Sequence, residues 1–210
     1  VTLVISHDKQ QRKSLLMTLT REPLQLARIH YHLFDKERVQ RIFAKLRCMA
    51  YDKMQDRWAW LYSGEAKKLK FKASYRKIPK ERQPIILGSF FSRKDDAMFL
   101  DVNSFDRAKK AILFFDKYIK RKIARVTEIE IVNKFFENHD GTLPRHEDFF
   151  DNHPVETSNP EKILNDLLKA TCSEEDKKRK FELAFTHMTE LANQPLPPVE
   201  RFPIHFYEEG

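Results

Sequence analysis

The clearest pattern along the chain is a stripe of apolar residues at helical spacing. Val39, Ile42, Phe43, Leu46, Met49 and Ala50 recur three and four apart after Asp35. That spacing predicts a helix with one buried face and Asp35 as its N-cap. A second stripe, Phe105, Ala108, Ile112, Phe115 and Ile119, predicts a helix over 104–121 capped by Asn103 or Ser104. Between the two stripes the period changes. Leu69, Phe71, Ala73 and Tyr75 alternate with Lys70, Lys72, Ser74 and Arg76. A strand over 69–78 would turn the first set to a core and present the second as a basic sheet face. Residues 57–62, 85–91 and 97–102 read as further strands of a β-meander, and 2–6 and 29–34 favour strand as well. Residues 9–19 read as helix.

The second half predicts more helix. Thr127 and Glu130 have capping-box spacing and open a helix to Glu137, closed by Gly141. Asn159 before Pro160, and Ser173 with Asp176, start two others. The predicted fold class is therefore α+β: an antiparallel β-meander packed with long amphipathic helices, followed by an α-helical C-terminal part. Its expected organisation is a basic α+β domain over 1–140, a polar loop over 141–160, a helical region over 161–193 packing on the first domain, and a Pro-rich extended tail over 194–210.

Composition narrows the chemistry. The 210 residues are 33% charged and 41% hydrophobic, with 17 Phe, a globular and not a disordered balance. Only 4 Gly are present. No Gly-rich phosphate loop of the GxGxxG or GxxxxGK[ST] kind occurs, and no GxSxG nucleophile elbow. Two Cys exclude four-Cys zinc sites and a disulfide scaffold, and point to reduced thiols in a cytoplasmic setting. No apolar run approaches the length of a membrane span. Residues 1–5 lack the basic lead and cleavage site of a signal peptide.

The net charge of +8 conceals a division. Residues 1–125 hold 30 Lys and Arg against 13 Asp and Glu, a balance of +17. Residues 126–210 hold 9 against 18, a balance of −9. The basic residues cluster at 57–82 and 104–125, which suggests a positive surface for polyanions beside an acidic region. Lys67, Lys68, Lys70, Lys72, Arg76, Lys77, Lys80 and Arg82 are the expected phosphate contacts of the sheet face. Lys110, Lys117 and Arg121, spaced i, i+7, i+11, would line one ridge of the second helix. The first reading is thus a nucleic-acid-binding or accessory protein, for DNA or RNA, with no catalytic residue and no cofactor assigned. Trp58 and Trp60 share one strand face and read as core, not as stacking platforms.

Two other classes compete. His139, Asp140, His146, Asp148 and His153 could ligate a divalent metal and serve a hydrolase or nuclease, since imidazole and carboxylate suit Zn, Mn or Fe. Their spacing matches no ligand motif, and a solvated loop explains them more simply. His30 and His32 would share a strand face, as a pair of general bases, as metal ligands or as structural residues. The third class is a non-catalytic protein-interaction subunit. Its partner would meet the acidic helical region or the tail, where Pro195, Pro198 and Arg201 fit PxxPxxR. Docking of that tail on its own domain is the simpler alternative.

Overall fold

A computed structural model describes residues 15–137, 143–152, 155–157 and 196–205. In chain order the elements are β1 (Ala27–Leu33), α1 (Lys36–Lys45), β2 (Met49–Asp52), β3 (Arg57–Leu61), β4 (Ile86–Lys94), β5 (Ala97–Val102), α2 (Phe105–Asp116), β6 (Ala124–Val132), α3 (His146–Phe150), β7 (Glu156–Thr157) and β8 (Val199–Pro203). Three 3₁₀ turns, Gly64–Lys68, Tyr75–Lys77 and Lys80–Arg82, lie between β3 and β4. All eight strands join one sheet in the order β2-β3-β4-β5-β1-β6-β8-β7. Every pairing is antiparallel except the short parallel contact of β7 with β8.

This architecture corrects the expected fold class. The sheet dominates, and the described helices are short, at 10, 12 and 5 residues. The expected helix over 127–137 is largely β6. Glu128 and Glu130 alternate there with Ile129 and Ile131, a period of two that outweighs the capping-box spacing. Nor is the C-terminal part simply helical: residues 199–203 form β8, paired along β6. The expected helices over 160–193 and the strand over 2–6 lie outside the described residues. So does most of the predicted 9–19 helix, whose described end is bridged instead, Leu15 with Glu137 and Met17 with Pro23.

The two expected central helices do form, though shortened. Asp35 Oδ1 accepts from the Arg38 amide at 2.9 Å, and Ser104 Oγ accepts from the Arg107 amide at 3.1 Å, so both N-caps satisfy otherwise orphaned donors. Leu46 and Met49 of the first stripe are buried, but beyond the helix end: Met49 opens β2 and pairs with Trp60. Both helices cover one sheet face. Phe43 of α1 and Phe115 of α2 meet Phe90 of β4 at ring separations of 4.7 and 4.8 Å. Trp60, fully buried, packs against Phe114 and Phe115. Each such ring contributes about 1.5–3 kcal/mol through burial, and this is the main core.

The second face carries a smaller core at one end. Leu24, Leu26, Val132, Phe136 and Val199 cluster there with Phe150 of α3. The rest of that face is polar, because Arg28, His30 and His32 alternate with the core residues Ile29 and Tyr31 along β1.

Candidate polyanion-binding surface

Residues 67–82 do not form the expected strand. Their backbone runs through the three 3₁₀ turns and pairs with no strand. Hydrogen bonds are found locally and at one distant point. The Leu69 amide donates to Ala66 O at 3.0 Å, the Ile78 amide to Tyr75 O at 3.3 Å, and the Ala73 amide to Thr20 O at 2.9 Å. Tyr62 Oη donates to Leu69 O at 3.0 Å. The basic sheet face is therefore absent, but the division into inner and outer residues survives. Ala66, Ala73 and Ile78 are buried, and Leu69, Phe71 and Tyr75 pack against the main core. Lys70, Lys72, Ser74 and Arg76 point to solvent. Alternation reported the side-chain environments over 69–76 correctly and the backbone wrongly; at Lys77, exposed, and Ile78, buried, the alternation itself breaks.

The outer side of this segment is strongly positive. Lys67, Lys68, Lys70, Lys72, Arg76, Lys77, Lys80 and Arg82 are all exposed. Glu81 is the single carboxylate within 67–82. Glu65, just before, is turned to internal duty. Its carboxylate accepts from the Cys48 amide at 3.1 Å and from Arg47 Nε at 3.3 Å. Its own backbone N–H is the largest influence holding it below the usual carboxylate range; slight burial opposes this, and Arg47 and the Cys48 amide reinforce it. The lysines are left with little local neutralisation.

The segment is fastened to α2. Lys110 Nζ lies 5.2 Å from the centre of the Phe71 ring, and Lys67 Nζ lies 4.3 Å from that of Tyr75. Thr20, which holds the Ala73 amide, also accepts from Arg107 Nη2 at 2.7 Å. Arg107 is buried, with Nη1 donating to Leu87 O at 3.3 Å and Nε 3.4 Å from Glu22. Burial lowers its pKa, against the opposing pull of Glu22. One ledge thus joins the two basic clusters read from the sequence.

The expected helical ridge is broken, however. Helix α2 ends at Asp116, and Lys117 is its exposed C-cap. Arg121 lies beyond the helix and grips Asp116 through Nε at 2.9 Å and Nη2 at 3.0 Å. Lys110 pairs with Asp106 one turn back. The i, i+7, i+11 spacing could align these cations only if the helix continued, and it does not.

The metal-ligand reading gains no assembled site. His139, Asp140 and His153 lie outside the described residues. His146 sits on α3 with Nε2 3.0 Å from Val102 O, and Asp148 pairs with Arg145 at 3.3 Å. Among the described residues no group of three or more His, Cys, Asp or Glu is placed to hold a metal. His30 and His32 do share the second face. His30 Nε2 is 2.9 Å from Glu130 Oε2, and the His32 ring stands edge-on to Phe34 at 4.6 Å. Glu130 is buried and also takes Arg201 of β8, Nε at 3.0 Å. Burial alone would raise its pKa, but the hydrogen bonds and charges of His30 and Arg201 hold it below the usual range.

Sequence reasoning missed a buried ionic cluster beside this one. Arg28, 1% exposed, donates from Nε and Nη2 to the two Asp101 oxygens at 2.7 and 3.0 Å, and from Nη1 to Asp151 at 3.0 Å. Its guanidinium carbon lies 4.0 Å from the Phe99 ring centre and 5.0 Å from that of Phe150. Burial lowers its pKa, but the two aspartates outweigh that and leave it raised. The cluster ties β1 to β5 and to the turn after α3. The only signal was one Arg inside an apolar stretch; its partners lie 73 and 123 positions away.

The Pro-rich tail is docked over its described part. Pro197 O and Pro198 O accept from Asn133 at 3.0 Å each, Val199 is buried, and Arg201 is bound to Glu130. No helix among the described residues is long and apolar enough to cross a membrane. Comparison with known proteins finds no matching family model, no similar curated protein and no similar solved structure.

Proposed function

We propose that the chain binds nucleic acid through its phosphate backbone, using the basic ledge formed by 67–82 and its junction with α2. The observation that carries this reading is the row of eight exposed cations over 67–82 with a single carboxylate among them. A partly disordered row would lose entropy on binding. Here Ala66, Ala73 and Ile78 anchor the row in the core, which reduces that cost. Lys67, Lys68, Lys70, Lys72, Arg76, Lys77, Lys80 and Arg82 neutralise phosphates, with Lys117 as a neighbouring contact. Lys110 is committed to Asp106 in a half-exposed pair; such a pair is worth about 0–1 kcal/mol and exchanges for phosphate. The ledge offers cations and no groove-filling helix, so the contacts position a strand and do not read its bases. The free, buried Cys48 thiol supports a reducing, cytoplasmic setting.

Fluorescence anisotropy with labelled single- and double-stranded DNA and RNA at low salt tests this. Binding should be seen, and the Lys70→Ala, Lys72→Ala, Arg76→Ala, Lys77→Ala variant should weaken it for all sequences alike. Failure to bind any of the four at low salt refutes the reading.

A further inference from the structure

The second sheet face ends, away from α3, in an open cleft of about 660 Å³ where β1 finishes and β6 begins. That volume falls within the roughly 300–1,000 Å³ of small-ligand sites. Its wall on one side is Phe34, a residue 54% exposed whose ring stands edge-on to His32. Among the described residues, Arg121, Lys122, Arg125, Thr127 and His205 provide the polar lining, and no carboxylate stands with them. Arg121 is held in place by Asp116. Lys122 and Arg125 have no ion-pair partner among the described residues. Both walls are pinned by backbone bonds. The amides of Phe34 and Asp35 donate to Ile123 O at 2.9 and 3.1 Å, and that of Ile204 to Thr127 O at 2.9 Å.

We infer that this cleft binds a nucleoside 5′-phosphate, the base lying against Phe34 and the phosphate between Lys122 and Arg125. Lys122 and Arg125 select an anion, and the exposed Phe34 ring selects a planar group attached to it. A cation is disfavoured by the same lining. Inorganic phosphate alone would leave the ring without a partner. The ligand can be a free nucleotide or the phosphorylated end of a strand, since both present the same chemistry. None of the residues 67–82 takes part, so this site and the ledge stand or fall separately.

Isothermal titration of the full chain with AMP, adenosine, inorganic phosphate and a 5′-phosphorylated dinucleotide tests the assignment. AMP should bind at least about tenfold tighter than adenosine or phosphate, a difference of about 1.4 kcal/mol. Lys122→Ala with Arg125→Ala should abolish the preference for AMP over adenosine. Phe34→Ala, an exposed position, should bring AMP down to the level of phosphate. The four-alanine ledge variant should bind AMP normally. A dinucleotide bound as well as AMP supports the site with a strand end as its ligand, and one bound more weakly supports it with the free nucleotide. AMP binding no tighter than phosphate, or unchanged by the cleft variants, or lost in the ledge variant, overturns the inference.

Discussion

Single buried charges decide much of this molecule's stability. Arg28 and Asp101 are both within 5% of full burial and exchange two hydrogen bonds. Removing Arg28 leaves Asp101 desolvated without its guanidinium, which costs about 3–5 kcal/mol, whereas replacing both with apolar groups is often near neutral. Arg28→Met should therefore lower the urea unfolding free energy by that amount, and adding Asp101→Leu should recover most of it. Additive losses would show that the pair is not a unit. Glu130 makes a pH-dependent contribution. Folding lowers its pKa from an unfolded value of about 4.3. Its stabilisation is complete above that value and disappears as pH falls through the lower, folded one. The urea midpoint should drop as pH is taken from about 5 to 3, and Glu130→Gln, already weakened at neutral pH, should show a smaller drop. None of these roles was legible from composition. Arg28 and Glu130 look like ordinary surface charges until register places Asp101 and Glu130 on either side of Arg28, with Arg201 opposite Glu130.

At the scale of elements, local chemistry was legible and pairing was not. Asp35 and Ser104 announced α1 and α2 because an N-cap needs only its own helix. The alternation over 69–76 identified inner and outer residues but not the backbone, because a strand exists only where a neighbour supplies its ladder. Here the segment pairs with none and folds into turns. In β6 the reverse happened: Thr127 and Glu130 fit a cap by spacing, yet Thr127 Oγ1 donates to His30 O at 3.3 Å and Glu130 faces His30. Gly88 was unremarkable in the sequence. In β4 a Cβ there would lie 2.7 Å from Val102 Cγ1 and 2.8 Å from Asp101 O. Gly88→Ala should cost about 1–3 kcal/mol by overpacking, measured as a lower unfolding midpoint with an unchanged denaturant slope. A neutral result would mean that β4 and β5 can separate freely at that point.

Over the described residues, buried and exposed charges are arranged differently. Carboxylates of the second face are bound to arginines or His30, as in Asp101 with Arg28 and Glu130 with Arg201. Cations over 67–82 are left exposed. The sequence showed that positive charge clusters, and the fold shows that over 67–82 it lies on exposed side chains. What no linear reading could locate is the cleft at Phe34, which joins the end of β1, the turn before β6 and the segment after β8.

The salt dependence of oligonucleotide binding tests the central claim most directly. Binding through the ledge releases counterions, so log K should fall linearly with log salt. Each phosphate contact removed should take roughly 0.7–0.9 from the slope. The four-alanine ledge variant should therefore bind with a slope shallower by roughly 3, with an unfolding midpoint close to that of the parent chain. Binding that ignores salt, or a slope unchanged in this variant, would contradict the account.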